Sequence, residues 1–302
     1  MTFSTAEQEA LLSSWIKPSS TDEKTQQDRA ERMVADALTA YLDLPSSSYK
    51  VYAKGSYANN TNVRRDSDVD IAVEFTGCAY YDPAPNVTLA EPKPAPYIGD
   101  WTPARWRQEI VAALVQKFGS GSVDTSGSVA INVPAVVGSR PSIDIVPSFT
   151  YYLYDNPSRT STRVGTCVFP KAGDKIVNWP QQQFDNGVAK NNATGGRYKY
   201  YARALKNAEN KLAVEGVITE LPSYFMECLI YNVDDETLKS GDLNQGFKAS
   251  LLALYQRLAN ESVDRMLEPN KNKYLFCDSQ KWALDDGLKL VTETLTYMGY
   301  GK

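Results

Sequence analysis

The chain has 302 residues, of which 42% are hydrophobic and 23% charged, and its net charge is −4. This composition is that of a globular protein with room for two lobes, and the acidic balance argues against a protein that coats long nucleic acids. The absence of a membrane-length apolar run and of signal-peptide features predicts a cytoplasmic protein. With no histidine and four widely spaced cysteines, the usual zinc sites and histidine-dependent nucleophiles are excluded.

Helix and strand patterns alternate in the first part of the chain. A capping box at Ser20–Glu23 opens a helix whose apolar residues recur at helical spacing as far as Tyr41. A second helix begins at Thr102, with Pro103 in its first turn. Strands are predicted at residues 49–53, 69–75, 128–137 and 142–146. The prolines of residues 79–101 predict a surface loop.

From about residue 175 the pattern becomes helical. Helices are predicted at residues 193–213, 221–232, 243–259 and 280–298. Leucine and phenylalanine side chains of the third recur on one face, at Leu243, Phe247, Leu251, Leu254 and Leu258. We therefore predict an α+β protein with an α/β lobe over residues 1–175 and a helical lobe over residues 176–302.

Two acidic residues, Asp68 and Asp70, open the strand predicted at 69–75. Apolar residues alternate with them and are expected to face a core: Val69, Ile71, Val73 and Phe75. The two carboxylates then share the other face, about 7 Å apart along the strand, and a divalent cation between them would remove their repulsion. Asp66 has the same parity but precedes the apolar alternation, so we favour Asp68 and Asp70. A solvated acidic turn is the alternative.

A phosphate-binding turn and a third carboxylate complete the candidate site. Glycine at position 55 allows backbone amides to approach a phosphate closely, and Ser56 adds a hydroxyl donor at a helix start. Taken alone, the Gly-Ser pair is an ordinary turn. Asp144 is the acidic residue in the apolar strand predicted at 142–146, where an unpaired acid costs free energy. The alternative for Asp144 is an edge-strand carboxylate that faces water.

The stretch KGSYANNTNVRRDSDVDIAVEF, residues 54–75, followed by Asp144, resembles the catalytic pattern of the DNA polymerase β superfamily of nucleotidyltransferases. It is most similar to the bacterial CD-NTases of CBASS anti-phage systems, which are related to cyclic GMP–AMP synthase, DncV and oligoadenylate synthase. Weaker similarity lies at Ser20–Glu23, at residues 223–232 and at residues 275–282. The resemblance implies a polymerase β-like lobe with a mixed sheet, a C-terminal helical lobe and an active site in the cleft between them.

The resemblance also implies roles for individual residues. Two Mg²⁺ ions, for which Mn²⁺ can substitute, are expected at three aspartates: Asp68, Asp70 and Asp144. Gly55 and Ser56 are expected to orient the triphosphate. Lys206 and Ser223 match the lysine and serine that the helical lobe offers to it, with Arg203 as a helper. Lys199, Arg203 and Lys206 lie on one helix face by their spacing. The alternative is that this basic face is exposed to solvent and binds no nucleotide. An exposed Lys206 would contribute little to stability.

The implied function is the synthesis of cyclic di- or oligonucleotides from NTPs, with release of pyrophosphate. We expect a mostly monomeric enzyme whose product acts on a separate effector protein, with no long nucleic acid and no membrane as partner. One alternative is an enzyme of the same superfamily that tails RNA or modifies a small molecule, although RNA tailing needs a basic track. Another is a catalytically silent nucleotide sensor, although such proteins commonly lack a metal ligand and all three are present here.

Overall fold

The computed structural model describes residues 3–18, 20–45, 48–63 and 68–300, so Asp66 lies outside the described residues. In chain order the elements are α1 (Thr5–Trp15), α2 (Thr21–Thr39), β1 (Tyr49–Ala53), α3 (Gly55–Ala58), β2 (Val69–Pro83), α4 (Pro103–Phe118), β3 (Ile131–Val133), β4 (Ile143–Tyr154), β5 (Thr162–Val168), β6 (Ile176–Asn178), α5 (Pro180–Ala193), α6 (Arg197–Val214), α7 (Ser223–Tyr231), α8 (Asp235–Leu238), α9 (Leu243–Ala259) and α10 (Leu284–Tyr297). No helix in these ranges is both long and apolar enough to cross a bilayer.

The described residues form two compact units. The sheet unit consists of those within Ser20–Tyr57 and Arg65–Pro180, and the helical unit of those within Met1–Ser19, Ala58–Arg64 and Gln181–Lys302. This division differs from the predicted boundary at residue 175, because α1, near the start of the chain, packs against α6 and α9 of the helical unit. The domain boundary predicted from the sequence stays a prediction.

A mixed sheet is the centre of the sheet unit. Its strands lie in the order β1, β2, β4, β5, β6, and β3 pairs with β4. Strands β2 and β4 are parallel to each other, while β1 with β2, β3 with β4, β4 with β5 and β5 with β6 are antiparallel. This architecture confirms the predicted α+β class, and the parallel pair brings the starts of β2 and β4 side by side.

The apolar alternation predicted for β2 is confirmed. Its odd-numbered residues are fully buried at Val69, Ile71 and Val73, and they share a core with Trp106 and Ile110 of α4. The predicted loop over residues 79–101 is wrong at its start, because β2 continues to Pro83. A register shift between Phe75 and Ala79 breaks the two-residue period, and with it the pattern by which the strand could be followed.

Side-chain caps define the first long helices as predicted. At α2, Ser20 Oγ accepts from the Glu23 backbone N–H and the Glu23 carboxylate accepts from that of Ser20. At α4, Thr102 Oγ1 accepts from the Arg105 backbone N–H, and Pro103 occupies the first helical position. Such caps satisfy backbone donors that have no partner within the helix.

The predictions for the remaining elements are correct only in part. The third helical stretch is confirmed, because α9 spans the range predicted for it. The helix predicted at 193–213 begins at Arg197, since Gly195 and Gly196 both have positive φ and separate it from α5. Strands β5 and β6 and helix α5 lack a clear pattern in the sequence.

Candidate active site

The acidic residues of β2 and β4 lie directly opposite each other. In the parallel pairing, Asp70 is aligned with Asp144 and Val69 with Ile143. Because partners across a parallel ladder point to the same face of the sheet, both carboxylates leave the face opposite the Val69 and Ile143 core. The structure therefore brings Asp70 and Asp144 together on one face of the sheet.

Asn132 of β3 fixes the orientation of Asp144. It is aligned with Asp144 in the antiparallel pairing, and its Nδ2 donates to Asp144 Oδ1 at 2.9 Å and to Ser142 Oγ at 3.0 Å. Sequence reasoning missed Asn132, although a single polar residue between Ile131 and Val133 carries the signal that identified Asp144. A carboxylate held by a second residue presents its other oxygen in a fixed direction.

The Gly55 turn lies against Asp70. Gly55 has φ +70°, and a β-carbon at this position would lie 2.5 Å from Asp70 Oδ2. The next residue, Ser56, belongs to the short helix α3, as the predicted turn and helix require. Both the left-handed backbone conformation and the space that the carboxylate occupies therefore favour glycine at position 55.

We expect Gly55→Ala to lower the nucleotidyl transfer that the family resemblance predicts by about tenfold to a hundredfold, since the new methyl group displaces Asp70 from its position. Gly138→Ala is the matched control, because Gly138 has φ +73° and nothing within 4 Å of a built β-carbon. Both variants incur backbone strain of about 1–2 kcal/mol. Steady-state rates and melting temperatures of the two would separate strain from displacement; equal activity losses would contradict the proposed contact.

Asp70 is in a partly desolvated and negatively charged environment. Burial raises the pKa of its carboxyl group, and the charges of Asp144 and Asp68 raise it further, whereas the Lys54 ammonium lowers it. The Lys54 backbone N–H also donates to the Asp70 carbonyl at 2.9 Å. Lys54 was not among the predicted site residues, although it directly precedes the Gly-Ser pair. It offsets part of the negative charge in the site.

The aspartates fit the coordination chemistry of a hard divalent cation, which prefers oxygen ligands. A cation would also counter the repulsion from Asp144 and Asp68, which adds to the effect of burial in raising the pKa of Asp70. Asp68 is exposed and directly precedes β2. Over the ranges that the structure describes, no three acidic or cysteine side chains converge as a complete ligand set. The metal-binding role of the three aspartates stays a prediction.

Lys206 is not on a solvated helix face, so that expectation is wrong. Its side chain is 2% exposed and pairs with that of Glu227, which is 3% exposed, at 2.5 Å. Its Nζ also donates to the Thr61 carbonyl at 3.0 Å and approaches Thr61 Oγ1 at 3.4 Å. Three acceptors therefore surround the three donors of the ammonium group. Binding of the triphosphate by Lys206 stays a prediction that this burial does not support.

Arg203 is also buried within the helical unit. Its Nε donates to the Ile16 carbonyl at 2.7 Å, and one terminal nitrogen donates to the Asn60 carbonyl at 2.6 Å. Burial lowers the pKa of Arg203 to about 10, so the guanidinium stays charged at neutral pH. The shared face of Arg203 and Lys206 follows from their helical spacing, but this face packs against protein rather than water.

Ser223 is exposed at the first position of α7. At a helix start, backbone N–H groups lack acceptors within the helix and the dipole favours an anion. This position fits the phosphate-binding role predicted for Ser223, which stays a prediction.

This chain is similar to known proteins over nearly its whole length. Residues 185–299 match the family model described as the cGAS/DncV-like nucleotidyltransferase C-terminal helical domain. A cyclic dipyrimidine nucleotide synthase, CdnE, from Legionella pneumophila is 38% identical over 91% of this chain and 92% of its own. Another protein of that name, from Cecembia lonarensis, is 31% identical over 92% and 94%. The solved structure of Elizabethkingia meningoseptica CdnE cyclic dinucleotide synthase with GTP and Apcpp superposes with a TM-score of 0.80 at 26% identity, covering 99% of this chain and 100% of that one.

Proposed function

Because this chain belongs to the bacterial CD-NTases, the nucleotidyltransferases related to cyclic GMP–AMP synthase and DncV, we propose that it joins two nucleoside triphosphates into a cyclic dinucleotide. The alignment of Asp70 with Asp144 beside the Gly55 turn is the observation that carries nucleotidyl transfer. The 38% identity to a cyclic dipyrimidine nucleotide synthase supports a cyclic product and makes UTP and CTP the first substrates to test.

The reaction is the same displacement performed twice. An acceptor hydroxyl oxygen bonds to the α-phosphorus of a triphosphate, the bond from that phosphorus to the bridging oxygen of the β-phosphate breaks, and pyrophosphate leaves with the electron pair. The hydroxyl proton passes to solvent. The first displacement gives a linear dinucleotide, and the second closes the ring and releases a second pyrophosphate.

Residues of the sheet unit have distinct parts in this proposal. Asp70 and Asp144 provide charge on one face of the sheet, and Asn132 keeps Asp144 in one orientation. Gly55 leaves room for Asp70, while Ser56 and the neighbouring backbone donors bind phosphate oxygens. Enzymes of this family are generally metal-dependent; two bound Mg²⁺ ions would lower the pKa of the acceptor hydroxyl and stabilise charge on the leaving pyrophosphate.

The wider role of the protein is proposed from the family. We place the enzyme in the cytoplasm as a monomer, with NTPs as substrates and a separate effector protein as the receptor of its product, in an anti-phage signalling pathway. The acidic net charge of −4 supports free nucleotides rather than long nucleic acids as substrates.

Incubation with pairs of labelled NTPs and Mg²⁺, without an added acceptor, tests the proposal. We expect a small product that resists phosphatase because it has no terminal phosphate, with a mass that identifies the bases. The strongest label incorporation is expected from UTP and CTP. Ladders of linear RNA, or transfer only to a supplied small molecule, would reject the cyclase reaction while leaving nucleotidyl transfer intact. Purine-only products would reject the proposed base preference.

A further inference from the structure

A short, largely polar segment between the two catalytic motifs is partly buried in the helical unit. Residues 58–63 follow the Gly55–Ser56 turn after one intervening residue, Tyr57, and precede the aspartates at the start of β2. They belong to the helical unit, although the sequences on both sides belong to the sheet unit. Asn59, Thr61 and Asn62 are buried, which is unfavourable for polar residues unless their groups find partners.

Side chains from α6 and α7 hold this segment at consecutive residues. Arg203 donates to the Asn60 carbonyl at 2.6 Å, and Lys206 donates to the Thr61 carbonyl at 3.0 Å. The Thr61 hydroxyl donates at 2.6 Å to the same Glu227 oxygen that pairs with Lys206. Asn60 has φ 52°, in the left-handed region that asparagine tolerates better than most residues. These contacts hold the Asn60 carbonyl, the Thr61 carbonyl and the Thr61 hydroxyl, together with the left-handed backbone at Asn60.

We propose that Arg203, Lys206 and Glu227 are positioning residues for nucleotidyl transfer, which act by holding residues 60 and 61. This inference rests on the proposed function. Its new element is an indirect role for Arg203 and Lys206, which the family resemblance assigned to binding the nucleotide itself. The three side chains and residues 60–61 are called the segment clamp below.

Chain connectivity explains how the segment clamp affects the active site. Helix α3 contains Gly55 and Ser56 and ends at Ala58, so a single residue, Asn59, separates it from Asn60. Fixed bond lengths and planar peptides leave only the backbone rotations of residues 57–59 to absorb a shift at residue 60, and we infer that part of such a shift reaches the Gly55–Ser56 turn. A misplacement of about 1 Å can cost on the order of a hundredfold in rate.

Charge supports a positioning role over a purely stabilising one. A buried ion pair is often no more stabilising than well-packed apolar residues of the same volume, so stability by itself does not explain why positions 206 and 227 carry charges. The ammonium and carboxylate groups provide directed hydrogen bonds to the Thr61 carbonyl and hydroxyl, which an apolar pair lacks. Directed hydrogen bonds fix the position of the segment between the two catalytic motifs, whereas apolar packing alone would leave that position less defined.

Thr61→Val tests the segment clamp, because it keeps the side-chain shape and removes the hydroxyl that donates to Glu227. We expect kcat to fall by about tenfold to a hundredfold, with KM changed less, and Thr61→Ser to restore kcat. Thr294→Val is the matched control: Thr294 is fully buried in the same unit, and its hydroxyl donates to the Leu290 carbonyl at 2.7 Å. This control is expected to lower the melting temperature similarly and to leave kcat unchanged.

Hydrogen exchange provides a readout that does not depend on catalysis. Amides of residues 55–63 should exchange faster in Thr61→Val than in wild type or in Thr294→Val. Unchanged exchange, or kcat losses that follow melting temperature equally in both variants, would overturn the proposal. A Lys206→Met variant that raises KM alone would make Lys206 a nucleotide ligand and also overturn it. If wild type forms no cyclic product, the proposed function fails, and faster exchange in Thr61→Val still supports the segment clamp.

Discussion

An Asp70→Asn variant is expected to lose roughly a thousandfold or more of nucleotidyl transfer, while the metal-free protein becomes more stable than wild type. The proposed role of Asp70 as a metal ligand predicts that the variant loses several kcal/mol of transition-state stabilisation. Asparagine has nearly the same shape, but it lacks the charge that is opposed in the folded protein by burial and by Asp144 and Asp68. Activity and stability should therefore change in opposite directions.

The pH dependence of stability follows from the raised pKa of Asp70. A folded-state pKa above the unfolded value, about 3.9, means that the folded protein binds this proton more tightly. The stability that this proton binding contributes is fully present below the pKa of Asp70 in the unfolded chain, and it is lost as the pH rises through the pKa of Asp70 in the folded protein. The stability advantage of Asp70→Asn over wild type should grow across that interval and then stay constant.

Thermal unfolding in EDTA between about pH 3.5 and pH 7 would measure this difference, since the interval begins near the unfolded pKa. Asp174→Asn is the control, because Asp174 is an exposed aspartate of the sheet unit and its replacement should change neither activity nor the pH slope. Wild-type turnover by Asp70→Asn, or by an Asp68→Asn and Asp70→Asn double variant, would contradict the assignment of these carboxylates. Asp144→Asn should behave as Asp70→Asn does in activity.

Lys206→Ala is expected to destabilise the protein by about 3–5 kcal/mol, because it leaves the Glu227 charge buried without its cation. The Thr61 carbonyl also loses a donor. Lys211→Ala is the matched control from the same helix: Lys211 pairs with Glu215 at 2.8 Å, but both side chains are exposed at 47% and 41%. Its removal should change stability very little.

Urea unfolding of the single and double variants would measure the coupling free energy between Lys206 and Glu227. Lys206→Met combined with Glu227→Leu removes both charges and should recover much of the stability that Lys206→Ala loses, since neither charge is then left unpaired. Recovery should be incomplete, because the Thr61 carbonyl keeps no donor from position 206. Equal stability of Lys206→Ala and Lys211→Ala would contradict the buried pair. A double variant less stable than Lys206→Ala would contradict the unpaired-charge explanation.

Local patterns in the sequence were sufficient for helices α2 and α4 and for the first part of β2. The capping box at Ser20 and the cap at Thr102 act over three residues, so they are visible in a single stretch of chain. The alternation from Val69 to Phe75 likewise reports which residues face a core. The alternation ended at the register shift after Phe75, and there the prediction of a loop was wrong.

The candidate site was predictable in its residue types but not in its pairings. Asp70 and Asp144 each stood out as acids beside apolar neighbours, and Gly55 as a glycine before a helix. Their alignment across β2 and β4, and the hydrogen bond from Asn132 to Asp144, depend on strand order and register. Residues far apart in the chain set both, so no single stretch of sequence encodes them.

The burial of Lys206 shows the same limit most clearly. Helical spacing correctly placed Lys206 and Arg203 on one face, because that spacing is a property of the helix alone. What covers the face depends on Glu227, 21 residues away, and Thr61, 145 residues away. A basic helix face looks the same in sequence whether water, a nucleotide or a carboxylate lies against it. The free energy of the buried pair arises from contacts that exist only after the chain has folded.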